Sequence, residues 1–575
     1  MDNRTIANLF DEIADILEIQ NENPFKVRAY RKTVQVIEDL SEDLGALCEK
    51  GELKYLPGIG KAMTEKIEEL LSTGSLEYYQ KIQSQIPPGL LELLKVQGMG
   101  PKKVALVYHS LGVSSLAELK KAAEEQRLRN LPGMGAKSEE KVLKGILTLE
   151  EHAGIILLGT ALPLAENIVE QLRKLRGVQR ISYAGSTRRG KEVIGDVDIL
   201  VSAKNSKPIM EAFVSMQEVD EVLASGDTKS SVRTKDGIQI DLRVVPDVSF
   251  GAALQYFTGS KDHNVLLRER GVKQGLKINE YGVFEADSEK RLGGENEADI
   301  YEALGLPLIP PELREGMDEI TAALSKEGLP KLIEPHHIKG DLHAHSNWSD
   351  GHNTIEEMAA AAMQMGYEYL VISDHSQSLR VAGGLPEDSL KKQTEIIAEL
   401  NESFKNFRIL TGTEVDIKSD GSLDYPENLL EHLDVVTASI HVGFSQSSEQ
   451  LTRRTIRAIE NPHVDVIGHF TGRLIGRRDP FPLDLDTIFA AASEHNTMLE
   501  LNAHPMRLDI KDTHMRHARR YGVRFVINTD AHSVEELANM RYGILTARRG
   551  WTQAKEVFNT FPLSRLLGQL KRELR

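Results

Sequence analysis

Residues 185–201 read GSTRRGKEVIGDVDILV. Asp196 and Asp198 stand one residue apart at the head of an apolar run that includes Ile194, Val197, Ile199, Leu200 and Val201. Side chains at i and i+2 of a strand point the same way, so the two carboxylates share a face about 6–7 Å apart at ~3.3 Å per residue. Like charges so placed repel unless cations hold them. A third acid, Asp241, lies between Ile240 and Leu242 in IQIDLRVVP (238–246). Three acids on adjacent strands form the donor set that two Mg²⁺ or Mn²⁺ ions need for an in-line phosphoryl displacement. Gly185 and Ser186 offer a tight approach and a hydroxyl, and Arg188 and Arg189 offer guanidinium forks for phosphate oxygens.

Around this stretch LAENIVEQLRKL (164–175) has helical spacing, and VQRISYAG (178–185), DVDILVSA (196–203) and IQIDLRVVP read as strands, an α+β pattern expected over 151–250. Upstream the chain reads as helices, among them ANLFDEIADILEI (7–19) and FKVRAYRKTVQVIEDL (25–40). A Gly-x-Gly turn between helical segments recurs three times, in LPGIGKAMTEKI (56–67), VQGMGPKKVALVY (96–108) and LPGMGAKSEEKVL (131–143). Gly58 and Gly60, Gly98 and Gly100, and Gly133 and Gly135 allow the turn and bring backbone N–H groups close to a ligand. The helix N-terminus that follows attracts phosphate, and Lys102 and Lys137 stand in its first turn. Helical domains are expected at 1–80 and 81–150.

The formal charge of −16 argues against a nucleic-acid partner only until its distribution is read. Residues 81–150 carry 11 Lys+Arg against 7 Asp+Glu, a local basic surface able to hold a phosphate backbone. No run approaches the ~20 apolar residues of a membrane span, and the N-terminus is amphipathic, unlike a signal peptide. Cys48 is the single cysteine, which excludes an internal disulfide and suits a reducing cytoplasm.

Beyond 315–338, expected as a short helix and a linker, seven apolar runs alternate with helical segments: DLHAHS (341–346), YEYLVISDH (367–375), RILTGTEVDI (408–417), DVVTASIH (434–441), DVIGHF (465–470), TMLELNAH (497–504) and RFVINTDAH (524–532). That alternation predicts a parallel (β/α)7-type barrel over 339–575. His343 and His345 are expected on one strand face, with Leu342 and Ala344 on the other. Asp350 follows, and His375, Glu414, His441, His469, Asp530 and His532 fall at strand C-termini, the end that carries barrel chemistry. Nine nitrogen and oxygen donors suit two or three of Zn²⁺, Mn²⁺ or Fe²⁺ and exceed what one ion takes. Arg473, Arg477 and Arg478 follow His469 and are expected to steer phosphate; Asn502 and His504 end the sixth run with no assigned role.

GS-x-RRG…GDVDIL resembles the nucleotidyltransferase signature of the family X, polymerase β-like DNA polymerases, and YFTGSKDHNVLLRERG (256–271) with LKINEYGVF (276–284) looks like that family's thumb. The resemblance covers about 1–317 and implies a palm at 151–250, a thumb at 251–317 and a linker at 318–338. It implies Asp196, Asp198 and Asp241 as catalytic metal ligands, and Gly185, Ser186, Arg189 and Gly195 at the incoming nucleotide. It also implies Tyr256, Phe257 and Gly259 on the sugar side, and Asn264 and Arg268 on the nascent pair. Gln239 stands where such enzymes often have arginine, which is expected to slow the chemistry. On the first hairpin Lys66 matches a Schiff-base lysine, with Tyr30 and Lys26 nearby. Ala62 and Phe25 depart from the family's lysine and histidine, so any 5′-deoxyribose phosphate lyase activity is expected to be weak. HxHxxxSDG, SDH, GTE, SIH, GH and TDAH resemble the polymerase and histidinol phosphatase (PHP) domain. Together they imply a monomeric, gap-filling DNA repair polymerase with a metal-dependent 3′–5′ exonuclease, acting on DNA and dNTPs in the cytoplasm at the nucleoid. A template-independent nucleotidyltransferase and a barrel acting as a small-molecule phosphatase are the alternatives. The triple hairpin and the YFTGS segment oppose the first, and assays on a DNA 3′ end against a sugar phosphate separate the second.

Overall fold

Ile6, Phe10, Ile13 and Leu17 recur at three and four along the helix Asn3–Ile19 and are all buried. They open the first of two compact units that part near residue 153, in a computed structural model describing residues 3–38, 44–51, 53–56, 58–96, 98–151 and 155–571. The next helix, Pro24–Glu38, takes the run expected at 25–40, whose Asp39 and Leu40 lie outside the described residues. The helices Lys61–Thr73, Pro101–Leu111 and Ala136–Glu151 each follow one Gly-x-Gly turn. One apolar cluster runs from Ile6 to Ile146, so the two expected helical segments share a core. No described helix is long and apolar enough to cross a membrane.

The second unit begins with a five-stranded mixed sheet in the order Val178–Tyr183, Val197–Ala203, Gln239–Val245, Lys229–Thr234, Val219–Ser225. Val197–Ala203 and Gln239–Val245 run parallel at its centre, and their buried residues pack on the helices Leu158–Arg173 and Lys207–Val214. Helices Phe250–Thr258 and Lys261–Lys273 then lead to a small antiparallel sheet, Leu276–Asn279, Gly282–Glu285 and Arg291–Gly293. Residues 315–338 hold the expected short helix, at Glu319–Leu324, and the stretch after it pairs Leu332 with Gln553.

Seven parallel strands follow in sequence order: Gly340–Ala344, Tyr369–Ile372, Arg408–Asp416, Val435–Ser439, Val466–Ile467, Met498–Asn502 and Phe525–Asn528. Leu370, Ile372, Ile409, Val436, Ile467, Leu499 and Ile527 pack on the surrounding helices. Val371, Leu410, Val435, Val466, Met498 and Val526 form a separate inner layer. Leu342 joins that inner layer, contrary to its expected place opposite His343. The strand bulges between Asp341 and Ala344, and a bulge sets two residues against one, so Leu342 and His343 both turn inward.

The first and last strands meet at the mouth, where the Asp530 N–H donates to His343 C=O at 3.0 Å and the His345 N–H donates to Ala531 C=O at 2.8 Å. At the opposite end Asn559 replaces the missing ladder. Its amide donates to Gly340 C=O at 2.9 Å and Ile527 C=O at 2.6 Å, and its oxygen accepts from the Ile527 N–H at 3.1 Å. Asn559→Ala leaves buried backbone groups unpaired at about 1–3 kcal/mol each. The expected result is a loss of roughly 3 kcal/mol or more of barrel stability, read as a lower denaturation midpoint, while Asn559→Asp, which retains the acceptor, falls between.

Candidate active sites

Asp198 lies directly opposite Asp241 across the parallel pair, and Asp196 immediately precedes the same strand. The structure therefore brings the three acids together on the sheet face that their spacing predicts. Asp241 Oδ1 accepts from Gln239 Nε2 at 3.0 Å, and Lys229 Nζ stands 2.6 Å from Oδ2. Burial, then Asp196 and Asp241, push Asp198 up to about 7. Burial, then Asp241, raise Asp196 as well. Burial also opposes ionisation of Asp241, but hydrogen bonds from Lys229, Gln239 and Ser231 hold it below its ordinary value. Carboxylates that resist sharing charge, with an ammonium drawn among them, make a donor set that fits a divalent cation. Gly185 has φ +62°, and a Cβ there would meet Asp198 Oδ2 at 2.5 Å, so only glycine lets the 185–188 turn sit against that acid.

Ser186 lies in the short helix Gly185–Arg188, and Gly195 is exposed just before Asp196. The two arginines differ from the expectation that both offer forks. Arg188 is committed to Glu297, with two contacts of 2.8 Å, and to Thr258 Oγ1 at 2.7 Å. Arg189 reaches Glu315 at 3.0 Å and the Thr258 carbonyl, beside Gly259. Tyr256 and Phe257 meet edge to face at 5.2 Å. Asn264 is buried, donating to Tyr256 C=O at 2.8 Å and accepting from Gln255 at 2.7 Å, while Arg268 donates to Asn264 C=O at 3.2 Å.

At the barrel mouth all nine expected ligands converge. Three overlapping groups hold their donor atoms within 4.8 Å of one another: His345, Asp350, His375 and His532; His343, His345 and Asp530; and His375, Glu414 and His441. His469 Nε2 lies 3.0 Å from Glu414 Oε1. Both Glu414 oxygens, His343 Nε2, His345 Nδ1 and His375 Nδ1 are buried without a hydrogen-bond partner. Buried polar atoms are normally paired, and atoms of this donor type converging unpaired fit divalent cations. Burial, then His532 and His375, pull His345 down to about 4, which keeps it the neutral ligand form.

The shell behind these ligands was not anticipated. Glu500 accepts from His343 Nδ1 at 2.7 Å and from the His469 N–H at 2.7 Å. Asp416 faces His441 Nδ1 at 2.7 Å. Asn502 donates to Asp530 Oδ2 at 2.9 Å, and His504 Nδ1 accepts from the Met506 N–H at 3.3 Å. Carboxylate and amide partners of this kind orient metal-binding side chains. Glu500 and Asn502, like Glu414 and Asp416, obey the same i, i+2 alternation that marks Asp196 and Asp198. Arg473 does not face the mouth as expected. It is buried, reaching Glu192 at 2.8 Å and the Leu508 carbonyl, and so ties the barrel to the loop beside the mixed sheet.

In the helical unit the first glycine of each turn is left-handed, with φ of 98° at Gly58, 91° at Gly98 and 75° at Gly133. The second glycine is different. Gly60 (φ −84°) and Gly100 (φ −87°) cap their helices without a side-chain bond, and a Cβ at Gly60, Gly100 or Gly135 would meet nothing within 4 Å. Among the described residues nothing comes within contact of a Cβ at Gly60 or Gly100, which leaves the helix N–H groups open to close approach by an outside ligand. Lys102 and Lys137 are exposed in the first turns that follow. Lys66 is half-buried, its Nζ 5.1 Å from the Tyr78 ring centre, with Lys26 Nζ 5.3 Å from the same centre and Tyr30 stacked on Tyr78.

Family profiles match in order along the chain: a helix-hairpin-helix domain at 1–76, a SAM-like helix-hairpin-helix tandem at 90–146, a DNA polymerase beta thumb at 253–315 and a PHP domain at 341–504. The DNA polymerase/3′-5′ exonuclease PolX of Bacillus subtilis is 41% identical over 575 residues, covering 100% of both chains. DNA polymerase lambda of Rattus norvegicus is 24% identical over 343 residues, 54% of this chain and 56% of its own. A probable phosphatase of Thermoanaerobacter is 30% identical over 232 residues, 38% of this chain and 89% of its own. Full-length identity at that level, with hairpin, thumb and PHP segments in this order, places the chain in the family X DNA polymerases that carry a C-terminal PHP domain.

Proposed function

We propose that the chain is a template-directed DNA polymerase that fills short gaps in repair at Asp196, Asp198 and Asp241, and a 3′–5′ exonuclease at the barrel mouth. The observation that carries this reading is the pair of separate cation-binding sets, one built on Asp198 facing Asp241 and one on the unpaired Glu414 and histidine atoms. Both activities depend on divalent metal. We assign two Mg²⁺ or Mn²⁺ ions to the sheet and two or three Zn²⁺, Mn²⁺ or Fe²⁺ ions to the barrel. Such ions supply Lewis acidity toward phosphate oxygens and ease deprotonation of the attacking hydroxyl or water.

The chain's own groups do the rest. Lys229 and Gln239 keep Asp241 ionised and fix its plane. Ser186 and Arg189, the latter exchanging its contact with Glu315 for phosphate, take the triphosphate of a dNTP, with Gly185 and Gly195 giving room for the approach. Gly259 admits the nucleotide against Tyr256 and Phe257. Buried Asn264 holds the Tyr256 backbone in place, leaving Arg268 to reach the nascent pair. Gln239 in place of arginine leaves the primer hydroxyl with one fewer charged neighbour, so slow chemistry is assigned to this site. In the barrel, Glu500 and Asp416 orient His343 and His441, and Asn502 orients Asp530. Abasic sites and 3′-phosphates are further substrates that suit base excision repair. A monomer acting in the cytoplasm at the nucleoid completes the proposal. Metal analysis, with extension of a gapped duplex and hydrolysis of single-stranded DNA, tests it. Extension without template, or hydrolysis of sugar phosphates in preference to DNA ends, would replace it.

DNA is gripped by the hairpins. Gly60→Ala and Gly100→Ala are each expected to weaken duplex binding about tenfold, and about a hundredfold together, since each obstructs a charge-assisted hydrogen bond worth about 1.5–3 kcal/mol. Their thermal midpoints are expected to shift little, because the gain from a stiffer unfolded chain at φ values that suit alanine is offset by alanine's poor fit to an N-cap. A fall in the midpoint that matched the loss of binding would count against the phosphate role.

Lys66 is assigned a weak lyase activity, its Nζ lying over the Tyr78 ring that Lys26 also meets. Borohydride trapping on a 5′-deoxyribose phosphate end is expected to give an adduct that Lys66→Ala removes; survival of the adduct would assign the chemistry elsewhere.

A further inference from the structure

Among the described arginines around the barrel, Arg473, Arg548 and Arg549 are matched to acids: Glu192 at 2.8 Å, Glu312 at 2.7 Å and Glu315 at 2.8 Å. Arg478 and Arg507 are not balanced in this way. Arg507 follows the sixth strand in a turn closed by its N–H donating to His504 C=O at 2.8 Å. Its nearest acid is Asp530, 3.8 Å from Nε, and that acid belongs to the candidate metal cluster. One of its terminal nitrogens is buried with no hydrogen-bond partner. Arg478 follows the fifth strand; its Nε donates to Gly472 C=O at 2.6 Å, and the guanidinium lies 4.7 Å from the ring centre of the partly exposed Phe444. No described acid lies within ion-pair distance of Arg478. The two cations are near enough that burial and then Arg507 lower the affinity of Arg478 for its proton. Buried Asp509 acts on both arginines, but burial holds its carboxyl above its ordinary value and towards the neutral form. Two half-buried guanidiniums with so little counter-charge, beside a metal cluster, make a site for an anion.

We propose that Arg478 and Arg507 form a phosphate-binding subsite at the barrel mouth that grips a backbone phosphodiester oxygen of single-stranded DNA while its 3′ end lies on the nine-residue cluster. This deepens the exonuclease reading and rests on it. The cluster carries Asp350, Glu414 and Asp530 with Glu500 behind it, and the chain is net acidic, so a polyanion needs fixed positive charge at the entrance. Arg478, its guanidinium 4.7 Å from the Phe444 ring centre, offers its remaining donors to the strand. Arg507 bridges from Asp530 to the bound phosphate, placing that contact next to the reacting one.

The test uses the full chain loaded with Mn²⁺, as Arg478→Gln, Arg507→Gln and the double variant. Each single variant is expected to raise KM for a single-stranded oligonucleotide about tenfold with kcat nearly unchanged, and to flatten the log–log salt dependence by about 0.7 per lost phosphate contact on a single strand. Inorganic phosphate binding, read by calorimetry, is expected to weaken in parallel. Metal content and extension of a gapped duplex stay at the parent level. A parent KM, salt slope and phosphate affinity in the double variant would overturn the proposal. So would an Arg507→Gln variant that loses metal and kcat at constant KM, since that result assigns Arg507 to orienting Asp530. If the parent chain fails to hydrolyse DNA, the exonuclease reading fails. The phosphate titration then still decides the subsite, because equal affinity in parent and double variant excludes it.

Discussion

Asp198→Asn is expected to stop gap filling, by about a thousandfold or more, because losing one ligand removes several kcal/mol of transition-state charge stabilisation. Hydrolysis of single-stranded 3′ ends is expected to stay within about twofold, as holds for sites without shared partners. The substitution keeps volume and shape, so the close packing of Gly185 against this side chain survives. What it removes is a charge that the metal-free fold tolerates poorly. Burial and the two neighbouring aspartates hold Asp198 up at about 7, far above an unfolded aspartate. A raised carboxyl destabilises the folded state at pH above its folded value, and protonation relieves that as pH falls toward the unfolded value. In EDTA, then, Asp198→Asn is expected to melt above the parent at pH 8. The gap should narrow from about pH 7 downward and vanish near pH 4. Addition of Mn²⁺ should reverse the order, stabilising the parent and leaving the variant behind. A variant that melts below the parent in EDTA at every pH would show that the acids are held by their protein partners and need no cation. Lys229 Nζ, 2.6 Å from Asp241, offsets part of the same crowded negative charge.

One rule made most of both sites legible. Acids or imidazoles at i and i+2 in a greasy strand mark Asp196 with Asp198 and His343 with His345, and the structure brings each pair into a common cluster. The rule extends to Glu500 with Asn502 and Glu414 with Asp416, whose second members prove to be supports. What the alternation could not show depends on partners distant in sequence. Arg188 and Arg189 are neighbours in one turn, yet Arg188 is captured by Glu297, 109 residues on, through contacts no local pattern reports. Arg473 reads as a basic loop residue until Glu192, 281 residues earlier, is found beside it. Leu342 fails for a local reason, since a bulge interrupts the period of two on which the face assignment rests. Asn559 lies beyond the last strand and closes the barrel from outside the repeating pattern.

Glu414→Gln is expected to remove exonuclease activity by about a thousandfold or more, again because several kcal/mol of charge stabilisation are lost with the ligand, while extension of a gapped duplex persists. Glu414 is the centre of the cluster. Its Oε2 lies 2.8 Å from His375, 3.6 Å from His343 and 3.8 Å from His345, and its Oε1 lies 3.0 Å from His469 and 3.4 Å from His441. A carboxylate that faces five imidazoles at once can bridge cations; a glutamine of equal size offers one weak acceptor and an NH₂ that opposes them. Metal content should therefore fall together with activity, which separates this variant from one that only slows the chemistry. The metal-free protein supplies a second readout. Burial works against protonation of His375 and His441, but Glu414 with Asp350 and Asp416 holds them up at about 10 and about 9. Imidazoles with raised values stabilise the fold fully below the unfolded value near 6.5, and that support is lost as pH rises through 9 to 10. In EDTA the parent should lose stability across that window, whereas Glu414→Gln starts lower at pH 6 and changes less. Should Glu414→Gln keep both its metal and its nuclease, the converging unpaired atoms at the barrel mouth would not be a cation site, and the 3′-end chemistry would have to come from somewhere else in the chain.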